Sequence, residues 1–276
     1  MEAHLTNITV HYDSHGNGLP LLLLHGYWTD HRQMVGCMEP IFTNDDGWNR
    51  IYPDLPGMGK TQGSDWITNS DQMLEVVCDF IDQLFPQQRF VVGGYSYGGY
   101  LAQGVLHQRS ELVDGLLLIC PVVIAKIRDR RLPQQSILEK DLDLTKKLTT
   151  EEKESFDNWV AIQDHPIWVR TRDEVNIGRS IADKPFLIRL WKEGCSLSFE
   201  QEVIKEPFPK PTLIMTGRQD WLVGYCDTWK LIEKYPKATF AVLDQAGHNL
   251  PIVQDELFNS LTSEWLNRIE ESQSSA

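Results

Sequence analysis

The 276-residue chain reads as an α/β protein: a mostly parallel sheet of about eight strands, flanked by helices and interrupted by a helical insertion. Three observations predict this. Apolar runs of strand length alternate with segments of helical period, the pattern of a parallel sheet covered on both faces. The alternation stops over residues 123–205, which are charged and helix-like with no buried strand run. Strand runs then resume. The expected organisation is a core domain of residues 1–122 and 206–276 carrying a helical cap of residues 123–205.

Residues 4–12 alternate and read as a strand, and Asp13 to Gly18 as a turn. Leu19 to Leu24 is a fully buried strand ending at His25-Gly26. Residues 31–42 place Met34, Cys37, Met38 and Ile41 on one helical face. Arg50 to Pro53 is a short strand, followed by a Gly/Pro-rich loop from Asp54 to Thr61. Ser70 is the expected cap of a helix over 71–85. Strand 89–94 and helix 97–108 follow, then a buried strand over 115–121. Within the insertion, helices are expected over 126–140, 149–168 and 172–191. Strands return at 211–217 and 239–243, a last helix spans about 252–269, and residues 271–276 form a polar tail.

Composition narrows the function classes. Hydrophobic content of 41% and charged content of 24% are those of a globular protein. A net charge of −13 argues against nucleic-acid backbones and anionic membrane surfaces as partners. The five cysteines are scattered, odd in number and without a C-x-x-C pair, which suits reduced thiols in a cytoplasmic protein. Met1 to His4 has no basic stretch leading into an apolar one, so no signal peptide is expected, and the apolar runs are too short to span a membrane. No metal and no cofactor are expected: there is no cysteine pair, and no Gly-rich phosphate loop with a following Lys-Ser/Thr. A monomer or homodimer is expected.

The chemistry centres on Gly94-Tyr95-Ser96-Tyr97-Gly98, placed between a strand and a helix. In that context the pentapeptide is a nucleophile elbow, a strained turn that lifts the serine hydroxyl clear of the sheet. Ser96 is the expected nucleophile, and its hydroxyl needs a base to take its proton. His248, in a loop after the last strand, is the expected base. Asp220, after the preceding strand, is the expected acid that holds the imidazole tautomer, with Asp227 its main rival. The backbone N–H groups of Tyr27 and Tyr97 are the expected oxyanion donors. His25 is expected to organise backbone rather than transfer protons. Trp28 and Trp221 are the expected pocket residues beside Tyr27 and Tyr97.

In these motifs the chain resembles the α/β-hydrolase superfamily in its capped serine-hydrolase form. The resemblance covers nearly the whole chain. It rests on His25-Gly26, Asp54-x-x-Gly57-x-Gly59-x-Thr61, the Ser96 elbow, the segment Pro211 to Asp220, and Gly247-His248. It implies the α/β-hydrolase fold, a cap that sets substrate choice, and a structural role for the Asp54 loop. Haloalkane dehalogenases and epoxide hydrolases of this fold use an aspartate at the elbow, and Ser96 argues against both. The expected activity is hydrolysis of a carboxylic ester or related acyl compound through an acyl-enzyme, on a small, apolar acyl substrate. Three alternatives stay open. One is a C–C bond hydrolase of the meta-cleavage type with the same triad. Another is a cofactor-free dioxygenase-like enzyme, suggested by Gly26-Tyr-Trp-Thr-Asp30-His31-Arg32. The last is a non-catalytic ligand sensor.

Overall fold

A computed structural model describes residues 1–43, 47–202 and 206–274. One eight-stranded sheet runs through the molecule, in the order β1-β2-β4-β3-β5-β6-β7-β8. These strands are β1 (Glu2–His4), β2 (Thr9–His15), β3 (Leu19–Leu24), β4 (Trp48–Pro53), β5 (Phe90–Tyr95), β6 (Val113–Ile119), β7 (Thr212–Gly217) and β8 (Ala238–Leu243). β1 and β2 pair antiparallel, as do β2 and β4, and every pair from β4 onward in the sheet is parallel. The central strands are apolar on both faces because helices cover both: Leu21 to Leu24, Phe90 to Val92 and Leu116 to Ile119 are all buried.

The continuous strand expected over residues 4–12 is instead a hairpin. Leu5 N–H donates to the Ile8 carbonyl at 2.9 Å, turning the chain between β1 and β2. Helices α1 (His31–Met38), α2 (Ser70–Leu84) and α3 (Tyr97–Arg109) follow β3, β4 and β5. The cap of α2 is Asn69, whose side chain accepts the Gln72 N–H at 2.9 Å. Ser70, expected there, instead bonds the Tyr97 hydroxyl and the Cys195 carbonyl.

Between β6 and β7 the chain carries α4 (Leu142–Lys147), α5 (Thr150–Trp159), α6 (His165–Thr171), α7 (Ile177–Ile181) and α8 (Lys184–Gly194), with a π-turn at Arg172–Asn176. No helix spans 126–140 beyond a 3-10 turn at Ile127–Asp129, because the Arg130 guanidinium bonds the carbonyls of Ile124 and Ala125 and pins the loop. Leu144, Phe156, Val160, Ile167, Trp168 and Val175 form a second small apolar cluster within this segment. Its expected boundary at residue 205 lies outside the described residues. After β7 come α9 (Cys226–Trp229), α10 (Leu250–Val253) and α11 (Asp255–Ser274). The last continues through the expected tail to Ser274, and residues 275–276 lie outside the described residues.

Candidate active site

The turn at Ser96 is built by what its neighbours lack. Ser96 has φ +55° and ψ −113°, a backbone state rare for a side-chain-bearing residue. A Cβ on Gly94 would lie 2.2 Å from the Gly98 carbonyl oxygen, and one on Gly98 would lie 2.1 Å from that of Leu24. Strand and helix therefore approach this closely only with glycine at both positions. Three backbone bonds over-determine the turn: Ser96 N–H to Ile119 at 2.9 Å, and the Ser96 carbonyl accepting from Tyr100 and Val122 at 3.1 and 3.0 Å.

His248 follows Gly247 in the loop after β8. Its Nδ1 lies 2.7 Å from Asp220 Oδ2, and both residues are buried. Since a carboxylate accepts, Nδ1 donates and Nε2 is left unprotonated in the neutral ring. The other Asp220 oxygen accepts the N–H groups of Leu222 and Val223 at 2.9 and 3.1 Å. Burial pushes the Asp220 carboxyl up, but the His248 ring and these two amides outweigh it and hold it below the usual carboxylate range. Asp227 is engaged elsewhere, bonding the Arg131 amide and the Lys230 ammonium, each at 2.7 Å. Tyr95, one residue before the serine, donates its hydroxyl to the His248 carbonyl, tying the elbow to the histidine loop.

Ser96 and His248 face one cavity of about 400 Å³. The Ser96 hydroxyl makes no hydrogen bond among the described residues. Neither the Tyr27 nor the Tyr97 amide donates to a protein group there. Tyr97 is the first residue of α3, where an N–H has no partner within the helix. The two tyrosine rings meet edge-on, with centroids 5.0 Å apart. Behind them Gln33 organises the turn, its Oε1 accepting from Gly26 N–H at 2.7 Å and Thr29 Oγ1 at 2.8 Å. His25 is a backbone organiser: Nδ1 donates to the Gly26 carbonyl at 2.8 Å and Nε2 accepts the Leu55 N–H at 3.0 Å. Burial pushes its pKa down and keeps the ring neutral.

Trp28 lines the cavity. Trp221 does not; Leu222 and Val223 do, because the turn they make onto Asp220 directs them there. Sequence reasoning missed Val122, Ile127, Arg130, Trp159, Ile188, Trp191 and Lys192, which line the cavity from the segment between β6 and β7. It also missed Cys120, whose sulfur lies within 4.8 Å of the Asp220 and His248 ligand atoms; those two groups spend their facing atoms on each other. Cys120 has φ +40° at the end of β6, a position with no sequence signature of its own.

A family profile described as alpha/beta hydrolase fold matches residues 20–255. The chain belongs to the alpha/beta hydrolase family. An alpha/beta superfamily hydrolase from Oenococcus oeni PSU-1 superposes with a TM-score of 0.88 at 31% identity, covering 98% of this chain and 99% of that one. A pimeloyl-[acyl-carrier protein] methyl ester esterase of Legionella pneumophila (strain Paris) is 23% identical over 94% of this chain and 100% of its own length. A 2-hydroxy-6-oxo-6-(2'-aminophenyl)hexa-2,4-dienoic acid hydrolase of Metapseudomonas resinovorans is 23% identical over 95% of this chain and 88% of its own. These relatives place this alpha/beta hydrolase among enzymes that hydrolyse their substrates. No helix among the described residues is long and apolar enough to cross a membrane.

Proposed function

We propose that this hydrolase cleaves carboxylic esters through an acyl-enzyme on Ser96. The observation that carries the reading is the meeting, in one largely apolar cavity, of a serine held at positive φ and a histidine whose Nδ1 is committed to a buried aspartate. In this reading Ser96 Oγ attacks the ester carbonyl while His248 Nε2 takes its proton. Asp220 fixes the tautomer that leaves Nε2 open and stabilises the imidazolium. The carbonyl oxygen, now an anion, takes hydrogen bonds from the unpartnered amides of Tyr27 and Tyr97. His248 then protonates the departing alkoxide, and a water activated by the same ring releases the acid and restores the serine. The serine–histidine hydrogen bond forms on substrate binding, since such contacts are often loose in free enzymes. The helices between β6 and β7 act as the cap of residues 123–205 and supply the outer wall of the acyl pocket.

The test is treatment of the pure protein with a fluorophosphonate and measurement of its intact mass, with Ser96→Ala and His248→Ala alongside. One adduct per wild-type chain, absent in both variants, is expected. A folded wild type that takes no label overturns the reading. A panel of esters of increasing acyl length then defines the substrate.

A further inference from the structure

The cavity beside Ser96 contains a cation that this chemistry leaves unused. Arg130 lines it, donating from Nε to the Ile124 carbonyl at 2.7 Å, from Nη1 to that of Leu222 at 2.7 Å, and from Nη2 to that of Ala125 at 2.8 Å. A guanidinium has five N–H donors, so Nη1 and Nη2 each keep one without a protein acceptor. Among the described residues no carboxylate pairs with Arg130. Asp220 is committed to His248, and Glu200 accepts from the Tyr100 hydroxyl at 2.6 Å and the Ala125 N–H at 2.8 Å. No aspartate or glutamate lines the cavity, whereas a second cation, Lys192, does.

This distribution runs against the rest of the molecule. In a chain of net charge −13, the lining of this cavity carries two cations, half-buried Arg130 and exposed Lys192, and no anion. The three carbonyl contacts tie the 124–130 loop to the Asp220 loop, which is a structural service. The carboxylates of Asp220 and Glu200 lie near enough to favour the charge, but neither accepts the two remaining N–H groups, which are left for an entering anion.

We propose that Arg130 is a specificity residue selecting substrates that carry a carboxylate, whose oxygens take its two remaining N–H groups while the ester lies at Ser96. The proposal rests on the ester-hydrolase reading and narrows the expected apolar substrate to one with an apolar body and one anionic group.

Two matched pairs of esters test it. The first is p-nitrophenyl hemiglutarate against p-nitrophenyl isoheptanoate, with the carboxylate on the acyl half. The second is p-acetoxybenzoate against p-isopropylphenyl acetate, with it on the leaving group. In at least one pair kcat/KM is expected to favour the charged member about tenfold or more, the scale of a hydrogen bond to a charged group. The pair that responds identifies which half of the substrate carries the anion. Arg130→Gln should collapse that ratio through KM rather than kcat, and Arg130→Lys should keep part of it. Absence of preference in both pairs overturns the proposal, as does an Arg130→Gln variant that slows both members of a pair equally. Competitive inhibition of the wild type by glutarate but not glutaramide is expected too, and needs no variant. If no ester is turned over, the ester reading fails separately, and calorimetric binding of glutarate, weakened about tenfold in Arg130→Gln, still decides the role of Arg130.

Discussion

The backbone carbonyl of Trp159 accepts the N–H of His248 at 3.1 Å, while the Trp159 ring lies 5.1 Å from the imidazole. The end of α5 thus sets where the loop after β8 holds its histidine. Gly247 makes the contact possible, since a Cβ there would lie 2.8 Å from the Trp159 oxygen. Gly247→Ala should push that carbonyl away and displace the imidazole by a fraction of an ångström. We expect fluorophosphonate labelling and ester turnover to slow by about 10–100-fold, the scale of a small misplacement of a reacting group. Circular dichroism should remain that of the wild type.

Asp220→Asn should retain the fold and lose the chemistry. The asparagine carbonyl would keep the Leu222 and Val223 amides, which turns its NH₂ toward His248 Nδ1. Nδ1 must then accept, the ring proton moves to Nε2, and Nε2 can no longer take the serine proton. A fall in kcat on the order of 10⁴-fold is expected from the wrong tautomer. Steady-state kinetics on a responsive ester measure it.

His31 and Asp54 give stability a defined pH window. Asp54 Oδ1 lies 2.8 Å from His31 Nδ1 and accepts the His31 N–H at 3.0 Å, and Oδ2 accepts the Lys60 N–H at 2.9 Å. The hydrogen bond to Asp54 raises the His31 pKa in the folded state. Burial pushes the Asp54 carboxyl up, but the bond from His31 and other favourable contacts leave it lowered. The histidine contribution is complete below its unfolded value of about 6.5 and is lost as pH rises through the folded pKa. The aspartate contribution is present above about 3.9 and is lost as pH falls through its folded pKa. Asp54→Asn should lower Tm most between about pH 4 and 6.5, by about 3–8 °C, and by less at higher pH. Thermal melts across pH decide it.

Thiol reactivity should be graded by burial. All five cysteines are free; Cys37, Cys78 and Cys120 are buried, and Cys195 and Cys226 are half-buried. Burial pushes the Cys78 thiol up to about 12 and that of Cys120 well above the usual range. An aromatic disulfide reagent should modify at most Cys195 and Cys226 rapidly in the native protein, and all five after denaturation. Fast modification of Cys120, which lies against Asp220, would mean that the site opens to solvent.

The core of the fold and the candidate reactive groups were legible because each rests on a local rule. Leu19 to Leu24 could only be a buried strand, and Gly94 and Gly98 could frame Ser96 only in a tight turn. The Asp54 loop was legible only as a signature; its bonds to His31 and Lys60 arise from the folded loop and have no local sequence signal. The outer wall was not legible. Helical period identifies an apolar face but not what it faces, so Trp159 and Trp191 looked no different from Trp168, which packs on Phe156 instead. Trp221 was favoured by adjacency to Asp220, but the side chain of Asp220 folds the chain into a turn that presents Leu222 and Val223. Arg130 is one of many charges in the segment 123–205, and only tertiary contacts bring it to the cavity at Ser96.

The hydroxyls of the two tyrosines beside Ser96 are tied, one directly and one through Ser70, to α8 and the residue that follows it. Tyr27 Oη donates to the Leu187 carbonyl at 2.7 Å, and Tyr97 Oη meets Ser70 Oγ at 2.9 Å, which donates to the Cys195 carbonyl at 2.8 Å. Moving α8 outward as a rigid body would break the Tyr27–Leu187 and Ser70–Cys195 bonds together, leaving Tyr97 held to Ser70 alone. Ile188 and Lys192, exposed on α8 beside the cavity, can change rotamer without breaking either bond.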